Sequence, residues 1–403
     1  MIGYPSQINS PRLPKEEQKL DVIIAGFGLS GMSVVYEMSK FEGFRDKRIL
    51  VIDSSKKNIN DRTWSFWSKE HTEYEALATK TWGKGFFYTG DGEKIKLELE
   101  NYRYFTIKGI EFYDFILDKL KGFDNIGFLQ AMIKETSSNG YVITDQGKYT
   151  ADLICRSYFE KKQLKGLFKR SFMWQHFKGF LIETEDDVFN ENEFTVMDYR
   201  QSSKGKINFF YVLPFTKRTA LVEFTEFSKK LYTDKEYNHK VHGYIKEVLE
   251  IKNYSIVEEE SNAIPMTSAK GEKSHDKIIN IGTVAGCVKP TTGYAFTRIV
   301  GNSKLLARSI MKGNNLPRPR LKSFAYRTLD TILLDILEKK PDIGKAFFYE
   351  LFKKVKAYQI FCFLDEKATL NMVLNLLNST RKHSWPFIRS FLSIIKKTVV
   401  KSD

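Results

Sequence analysis

The chain predicts an α/β protein with a Rossmann-like dinucleotide-binding unit, a second domain built on an antiparallel sheet, and a helical C-terminal region. Three observations carry this. The apolar run Val22–Ala25 ends in Gly26-Phe27-Gly28-Leu29-Ser30-Gly31, and a helical pattern and a second apolar run closing on Asp53 follow. Aromatic, strand-like runs fill about 171–228, and apolar residues recur at helical spacing from about 323 onward.

Val22–Ala25 reads as a strand buried on both faces, and the helix after it runs through Met32, Val35 and Met38. Ile49–Ile52 is the second buried strand. Short strands such as 85–88 and 141–144 follow, with a helix at about Tyr113–Leu120 between them. The runs around Trp174–Ile182, Phe194–Tyr199 and Ile207–Phe227 form the antiparallel sheet. Ile278–Gly282 is one more buried strand, leading into a helix over Ile299–Met311, and Pro341 and Pro386 mark turns in the last region.

At 403 residues the chain can bury a sizeable core, and 42% hydrophobic with 14% aromatic residues excludes a disordered chain. Lys and Arg number 64 against 49 Asp and Glu, a formal charge of +15, yet the basic residues are spread out and form no nucleic-acid motif. Clusters at Lys161, Lys162, Lys165, Lys169, Arg170 and at Arg318, Arg320, Lys322 suit either a solvated face or an anionic membrane surface. No apolar run is long enough to cross a bilayer, so membrane contact is expected to be peripheral. Residues 1–19 read as a leader without a signal-peptide core, and Cys155, Cys287 and Cys362 suit a reducing, cytoplasmic compartment. His239 and His242 have no convincing further ligand, so no metal is expected.

Each glycine of the fingerprint has a physical task. Gly26 permits the tight turn, Gly28 lets backbone approach a pyrophosphate, and Gly31 lets helix pack on strand. The helix N-terminus offers N–H groups to phosphates, and Asp53 can accept ribose hydroxyls while repelling a 2′-phosphate. FAD and NAD both satisfy this pattern, and NADP does not.

Further segments carry a resemblance. They are Asn60-Asp61-Arg62-Thr63-Trp64-Ser65-Phe66-Trp67, Trp174-Gln175-His176-Phe177, Met197-Asp198-Tyr199-Arg200, Phe210-Tyr211-Val212-Leu213-Pro214 and Leu221-Val222-Glu223-Phe224-Thr225. Glu260 with Ile264-Pro265-Met266, Gly282-Thr283-Val284-Ala285-Gly286, Lys289-Pro290-Thr291-Thr292-Gly293-Tyr294, Phe363-Leu364-Asp365-Glu366 and Trp385-Pro386-Phe387 complete the set. In this order they resemble the lycopene β-cyclases of carotenoid-making bacteria, flavoproteins with a fold similar to p-hydroxybenzoate hydroxylase. Arg62 and Lys289 stand where that family has histidine, and Asn262 where glycine is common.

The resemblance implies FAD, active when reduced, with NADPH as its reductant. It implies conversion of the acyclic ψ-ends of lycopene to β-ionone rings, through γ-carotene to β-carotene, without net redox. Glu223 would be the catalytic acid; a solvated strand glutamate is its bland alternative. Gly26, Gly28, Gly31, Asp53, Arg62, Thr63, Gly282, Gly286, Pro290 and Gly293 would hold the cofactor. Trp64, Phe66, Trp67, Trp174, Phe210 and Glu260 would face an acyclic carotenoid. The expected divisions are a leader at 1–19, the FAD-binding βαβ unit at 20–75, interleaved segments at 76–155, and the substrate sheet at 156–270. A return to the FAD domain at 271–312 and a helical region at 313–403 follow. Peripheral attachment at the inner face of the cell membrane is expected, with 387–400 as a candidate contact. A flavin monooxygenase or polyprenyl reductase on the same fold is the rival reading, and a non-enzymatic carotenoid-binding protein is a third.

Overall fold

The computed structural model describes residues 20–70, 72–160, 166, 171–269, 271, 273–313 and 324–383. The leader, both basic clusters, Trp385-Pro386-Phe387 and the segment 387–400 lie outside the described residues.

The first sheet is centred on β1 (Leu20–Ala25), parallel to β2 (Ile49–Asp53) on one side and β11 (Lys148–Arg156) on the other. Beyond β2 lies β8 (Ile126–Gln130), and β17 (Ile278–Asn280) pairs in parallel with β11. The antiparallel strands β9 (Ile133–Ser137) and β10 (Tyr141–Thr144) extend the far end of β11. Strand alternation sends Val22 and Ile24 to one face and Ile23 and Ala25 to the other. Val22 and Ile24 pack on Met32, Val35, Phe112, Ile116 and Ile299 from α1 (Leu29–Ser39), α3 (Gly109–Leu120) and α5 (Phe296–Lys312). Ile23 and Ala25 join Leu50, Val142 and Ile154. Burial on both faces explains why these strands read as unbroken apolar runs. The expected strand at 278–282 ends at Asn280, and Gly282 already turns with φ +62°.

The second sheet runs in the order β16 (Ser255–Thr267), β12 (Phe172–Glu183), β15 (Thr219–Ser228), β14 (Ile207–Pro214), β13 (Glu193–Asp198), β5 (Lys84–Tyr88), β6 (Lys94–Leu97). The run at 207–227 is thus two strands, folded on a turn closed by the Phe215 N–H donating to the Thr219 carbonyl. One face is covered by α4 (Asp234–Glu247), whose Tyr237, Val241 and Tyr244 pack on Phe180, Phe210, Val222 and Phe224. A capping box between Thr233 and Glu236 fixes the start of α4. The other face meets the C-terminal helices α6 (Phe324–Lys339), α7 (Pro341–Lys354), α8 (Ala357–Leu364) and α9 (Leu370–Ser379). Pro341 occupies the first turn of α7, where its missing N–H costs nothing.

A small third sheet, β3 (Thr63–Ser68), β7 (Arg103–Lys108) and β4 (Lys80–Trp82), joins the two layers. Between β3 and β4 the short α2 (Glu73–Ala76) begins with a capping box between Thr72 and Glu75. Neighbours on these strands serve different cores: Phe66 and Phe105 join the first, Trp67 and Tyr104 the second. Among the described residues no helix is long and apolar enough to cross a membrane, and no group of three ligand-type side chains could hold a metal ion. The three cysteines are buried, and none forms a disulfide among the described residues.

Candidate active site

The nucleotide cradle is built by backbone. Gly26 has φ +96°, and a Cβ there would meet Ser157 Oγ at 2.2 Å. At Gly31 a Cβ would meet the Gly26 carbonyl oxygen at 2.2 Å, so helix and turn touch backbone to backbone. Gly28 is different: it caps α1, and a Cβ there would meet nothing within 4 Å. Its side is open for a phosphate to approach the helix N-terminus, whose first turn carries no acidic residue to compete. Asp53, at the end of β2, accepts the Phe27 N–H at 2.6 Å and the Ser55 N–H at 2.8 Å, and Lys57 Nζ lies 3.2 Å away. A carboxylate has lone pairs beyond these and can still accept a ribose hydroxyl. Arg62 donates to Asp61 at 2.7 Å and lies within electrostatic reach of Asp53.

The turn at 282–294 completes this side. Gly282 faces Ser30 of α1, where a Cβ would meet Oγ at 2.6 Å, and Gly286 (φ +78°) backs onto Gly271. After Pro290, Gly293 (φ +71°) presses on Gln175 of β12, so the turn bridges both domains. Gln175 Oε1 and Thr292 Oγ1 are buried there with no hydrogen-bond partner among the described residues. An open helix N-terminus, a ribose-type carboxylate and two orphaned polar atoms farther along the cleft fit a dinucleotide whose second half carries polar ring edges.

Glu223 sits in the middle of the second sheet, in a row fixed by strand register. Glu260 of β16 pairs with Gly179 of β12, Gly179 with Glu223 of β15, and Glu223 with Tyr211 of β14. All four side-chain positions project from one face. Gly179 has no side chain to separate the acids: a Cβ there would sit 3.3 Å from Glu260 Cγ and 3.4 Å from Glu223 Cβ. The two carboxyls hydrogen-bond each other across it. Thr225 donates to Glu223 at 2.9 Å, and Thr63 hydrogen-bonds Glu260. Glu223 as a residue is half-buried, but protein surrounds its carboxyl. Burial, reinforced by the charge of Glu260, pushes its pKa well above the usual carboxylate range, and burial lifts Glu260 to about 7.

Beside this pair lies an apolar cavity of about 320 Å³ between the second sheet and α6–α9. Tyr104, Tyr211 and Tyr294 line it, and all three interact electrostatically with Glu223. The Tyr104 and Tyr294 hydroxyls are 3.0 Å apart. Trp67 stacks on Phe361 at 4.6 Å and tilts against Tyr294 at 4.3 Å, which makes an aromatic wall. Its indole N–H donates to Asp365 at 3.0 Å, and burial raises that carboxyl to about 6. A weak field of π-faces beside a neutral acid is an environment in which a carbocation can form and persist.

Residues 21–387 match the family model described as "Lycopene cyclase protein". The chain belongs to the lycopene cyclase family. Relatives include the chloroplastic neoxanthin synthase of Solanum tuberosum, 23% identical over 325 residues, covering 73% of this chain and 61% of that protein. The chloroplastic lycopene beta cyclase of Arabidopsis thaliana is 22% identical, covering 78% of this chain and 66% of that one. The chain thus spans a little over three fifths of the length of the curated relatives it matches. Among solved structures, a geranylgeranyl bacteriochlorophyll reductase-like protein from Thermoplasma acidophilum aligns with TM-score 0.62 at 11% identity, over 89% of this chain and 96% of that one. A variant of Klebsiella pneumoniae HpxO complexed with FAD aligns with TM-score 0.61 at 12% identity, over 86% and 98%. These likenesses establish the flavoprotein-type fold.

Within this chain, several aromatic side chains lie elsewhere than the cavity wall expected of them. Phe210 does not face the cavity; it stacks on Tyr244 at 3.8 Å on the opposite face, and its neighbours Phe209 and Tyr211 line the cavity instead. Alternation decides this, because adjacent strand residues point opposite ways. Trp174 lies edge-on to Phe172 and away from the cavity, whereas the adjacent Gln175 reaches the turn at Gly293. Trp64 packs on Phe112 and Tyr113, and Phe66 stacks between Phe105 and Phe296, both in the first domain's core. Of the five aromatic candidates, Trp67 alone lines the cavity. Thr63 hydrogen-bonds Glu260, and neither Glu260 nor Glu223 is among the residues lining the cavity, which the pair meets through Tyr104, Tyr211 and Tyr294.

Sequence reasoning missed Gly179, Tyr104 and Asp330. Gly179 carries a readable signal, a glycine inside a long strand, which marks a close approach. Lys289 proves to be buried, and its ammonium lies on Asp330 of α6.

Proposed function

We propose that the protein is a lycopene β-cyclase that converts the ψ-ends of lycopene to β-ionone rings, through γ-carotene to β-carotene. The observation that carries this reading is the enclosed carboxyl of Glu223 beside an apolar, tyrosine-lined cavity. Cyclisation of a hydrocarbon alkene starts with protonation, and only a carboxyl held neutral in a dry site is poised to donate at neutral pH. Glu223 transfers its proton to the terminal double bond. The internal double bond then closes the ring onto the resulting cation, with Tyr294, Tyr211 and Trp67 offering π-faces and the cavity wall excluding water.

FAD is the cofactor this reading assigns to the cradle, with Gly26, Gly28, Gly31, Asp53 and Arg62 at its adenosine and pyrophosphate end. The turn from Gly282 to Gly293 would hold its other half. When bound and reduced by NADPH, the cofactor would supply a negative charge beside the cation without giving electrons to the substrate.

A hydrocarbon substrate resides in the bilayer, and peripheral attachment at the inner face of the cell membrane follows from that. α9 supports it. The helix has no charged residue, exposes Leu370, Leu374 and Leu377 on its surface, and is followed by exposed Arg381 and Lys382. Leu377 also lines the cavity, so the apolar surface continues inward.

Expression in lycopene-accumulating bacteria tests the function directly. Pigments of unchanged mass carrying β-rings support it. Gain of an oxygen atom or of hydrogens would instead establish the monooxygenase or reductase reading.

A further inference from the structure

Cyclisation without net redox needs a base as well as an acid, because the ring cation must lose a proton. Glu260 is the group placed to serve. Its carboxyl meets that of Glu223 across Gly179, where a Cβ would sit 3.0 Å from Leu221 Cδ1, 3.3 Å from Glu260 Cγ and 3.4 Å from Glu223 Cβ, so a side chain there would crowd the pair. Two carboxyls in direct contact do not both ionise readily, so they hold one proton between them over a broad pH range. Thr225 donates to Glu223 and Thr63 hydrogen-bonds Glu260, so each acid has a second partner besides the other carboxyl.

We infer that Glu260 is the base of the reaction, so that the Glu223–Glu260 pair delivers one proton to the substrate and recovers one from it. This rests on the cyclase reading above. In the first step the Glu223 O–H bond breaks and a C–H bond forms at the terminal alkene carbon. Ring closure forms one C–C bond and moves the cation to the ring carbon that bears the methyl group. Glu260 then forms an O–H bond with the hydrogen of the adjacent ring carbon, and the electrons of that C–H bond become the ring double bond. Transfer of this proton along the carboxyl–carboxyl hydrogen bond restores neutral Glu223 and ionised Glu260. Substrate and product differ by no atom and no electron, and the pair ends as it began. The base's position selects which neighbouring C–H is broken, and therefore which ring isomer forms.

The working state requires Glu260 ionised, and burial places that ionisation near pH 7. The groups facing the pair are Thr63, Glu258 and Lys108 beside Glu260, and Tyr104, Tyr211 and Tyr294 beside Glu223. The Lys108 ammonium is 2.8 Å from Glu258, which leaves Glu260 as the carboxylate free to titrate with Glu223.

The test uses full-length protein with bound FAD, lycopene and reductant, and reads kcat against pH, ring isomers, flavin content and thermal stability. Glu260→Gln is expected to lose about 100-fold or more in kcat while keeping flavin and fold. Glu260→Asp, which draws the base back by one methylene, should retain partial rate, keep an acid limb, and shift product toward other ring isomers. Gly179→Ala should lower kcat more than it raises KM. Glu260→Gln turning over at the wild-type rate with an unchanged acid limb would overturn the proposal, and so would Glu260→Asp giving wild-type rate and isomer ratio. A wild-type protein that forms no rings would instead refute the cyclase reading itself.

Discussion

The ammonium of Lys289 lies 3.0 Å from the carboxylate of Asp330, and both groups are buried. Thr291 donates to the same carboxylate at 3.1 Å, and Glu366, 3.7 Å from Lys289, also accepts from Arg298 at 3.1 Å. This cluster fastens the turn at 282–294 to α6 and to the end of α8, closing one end of the cavity. Lys289→Met removes the ammonium from a buried carboxylate and should cost about 3–5 kcal/mol. Adding Asp330→Leu should recover most of that loss. Urea unfolding of the two variants checks this, and equal instability of single and double variants would argue against a stabilising pair.

The two helix-side glycines should separate cofactor binding from folding. Gly31→Ala places a methyl group 2.2 Å from a backbone oxygen and should destabilise the domain outright. Gly28→Ala meets no protein atom, so the fold should persist while FAD affinity falls by about 10-fold or more, through about 1.4 kcal/mol or more of lost phosphate contact. Flavin absorbance per chain, read beside circular dichroism, distinguishes the two.

Glu260 should make the wild type less stable as pH rises. Its folded pKa of about 7 lies above the ordinary 4.5, so the folded state holds a proton that the unfolded state releases. The stabilising contribution is complete below pH 4.5 and lost as pH rises through about 7. Glu260→Gln should therefore gain on wild type across that window, by about 1–3 kcal/mol. Unfolding free energies at pH 5 and pH 8 measure the difference; a constant gap would contradict the shift.

His176 should act in the opposite sense. Burial holds its pKa near 4, below the ordinary 6.5, while Tyr237 and Ser228 occupy its two ring nitrogens at 2.6 and 2.8 Å. The folded state resists the proton that the unfolded state accepts, so stability falls as pH drops from 6.5 toward 4. A His176→Gln variant should show a shallower loss over that range than wild type.

Leu370, Leu374 and Leu377 should decide access to membrane-held substrate. Replacing all three by serine is expected to lower sedimentation with anionic vesicles and conversion of vesicle-embedded lycopene, each by about 10-fold, while detergent-dispersed lycopene is still converted. Equal losses in both formats would place the leucines in folding rather than in docking.

Much of the fold was legible because its signals are local. A buried parallel strand is a continuous apolar run, a phosphate turn needs glycines at fixed offsets, and Asp53 follows the next strand at the expected point. The hairpin turn at 215–218 was not read, because the apolar pattern on either side of it is nearly continuous. The long strand β16 was missed as well: its many glutamates and its exposed Ile256 and Val257 give no buried alternation.

The sequence by itself determined the nucleotide unit and the family, and it singled out Glu223 as the candidate acid, since those rest on residue types at short spacing. Tertiary structure alone decided what the acid does with its neighbours. Glu223 and Glu260 are 37 residues apart, and nothing local says that a strand containing Gly179 lies between them. Strand register brought the carboxyls together and chose Tyr211 over Phe210 for the cavity. The physical reason is that a one-residue change of register reverses every side chain on a strand, and register is set by partners distant in the chain.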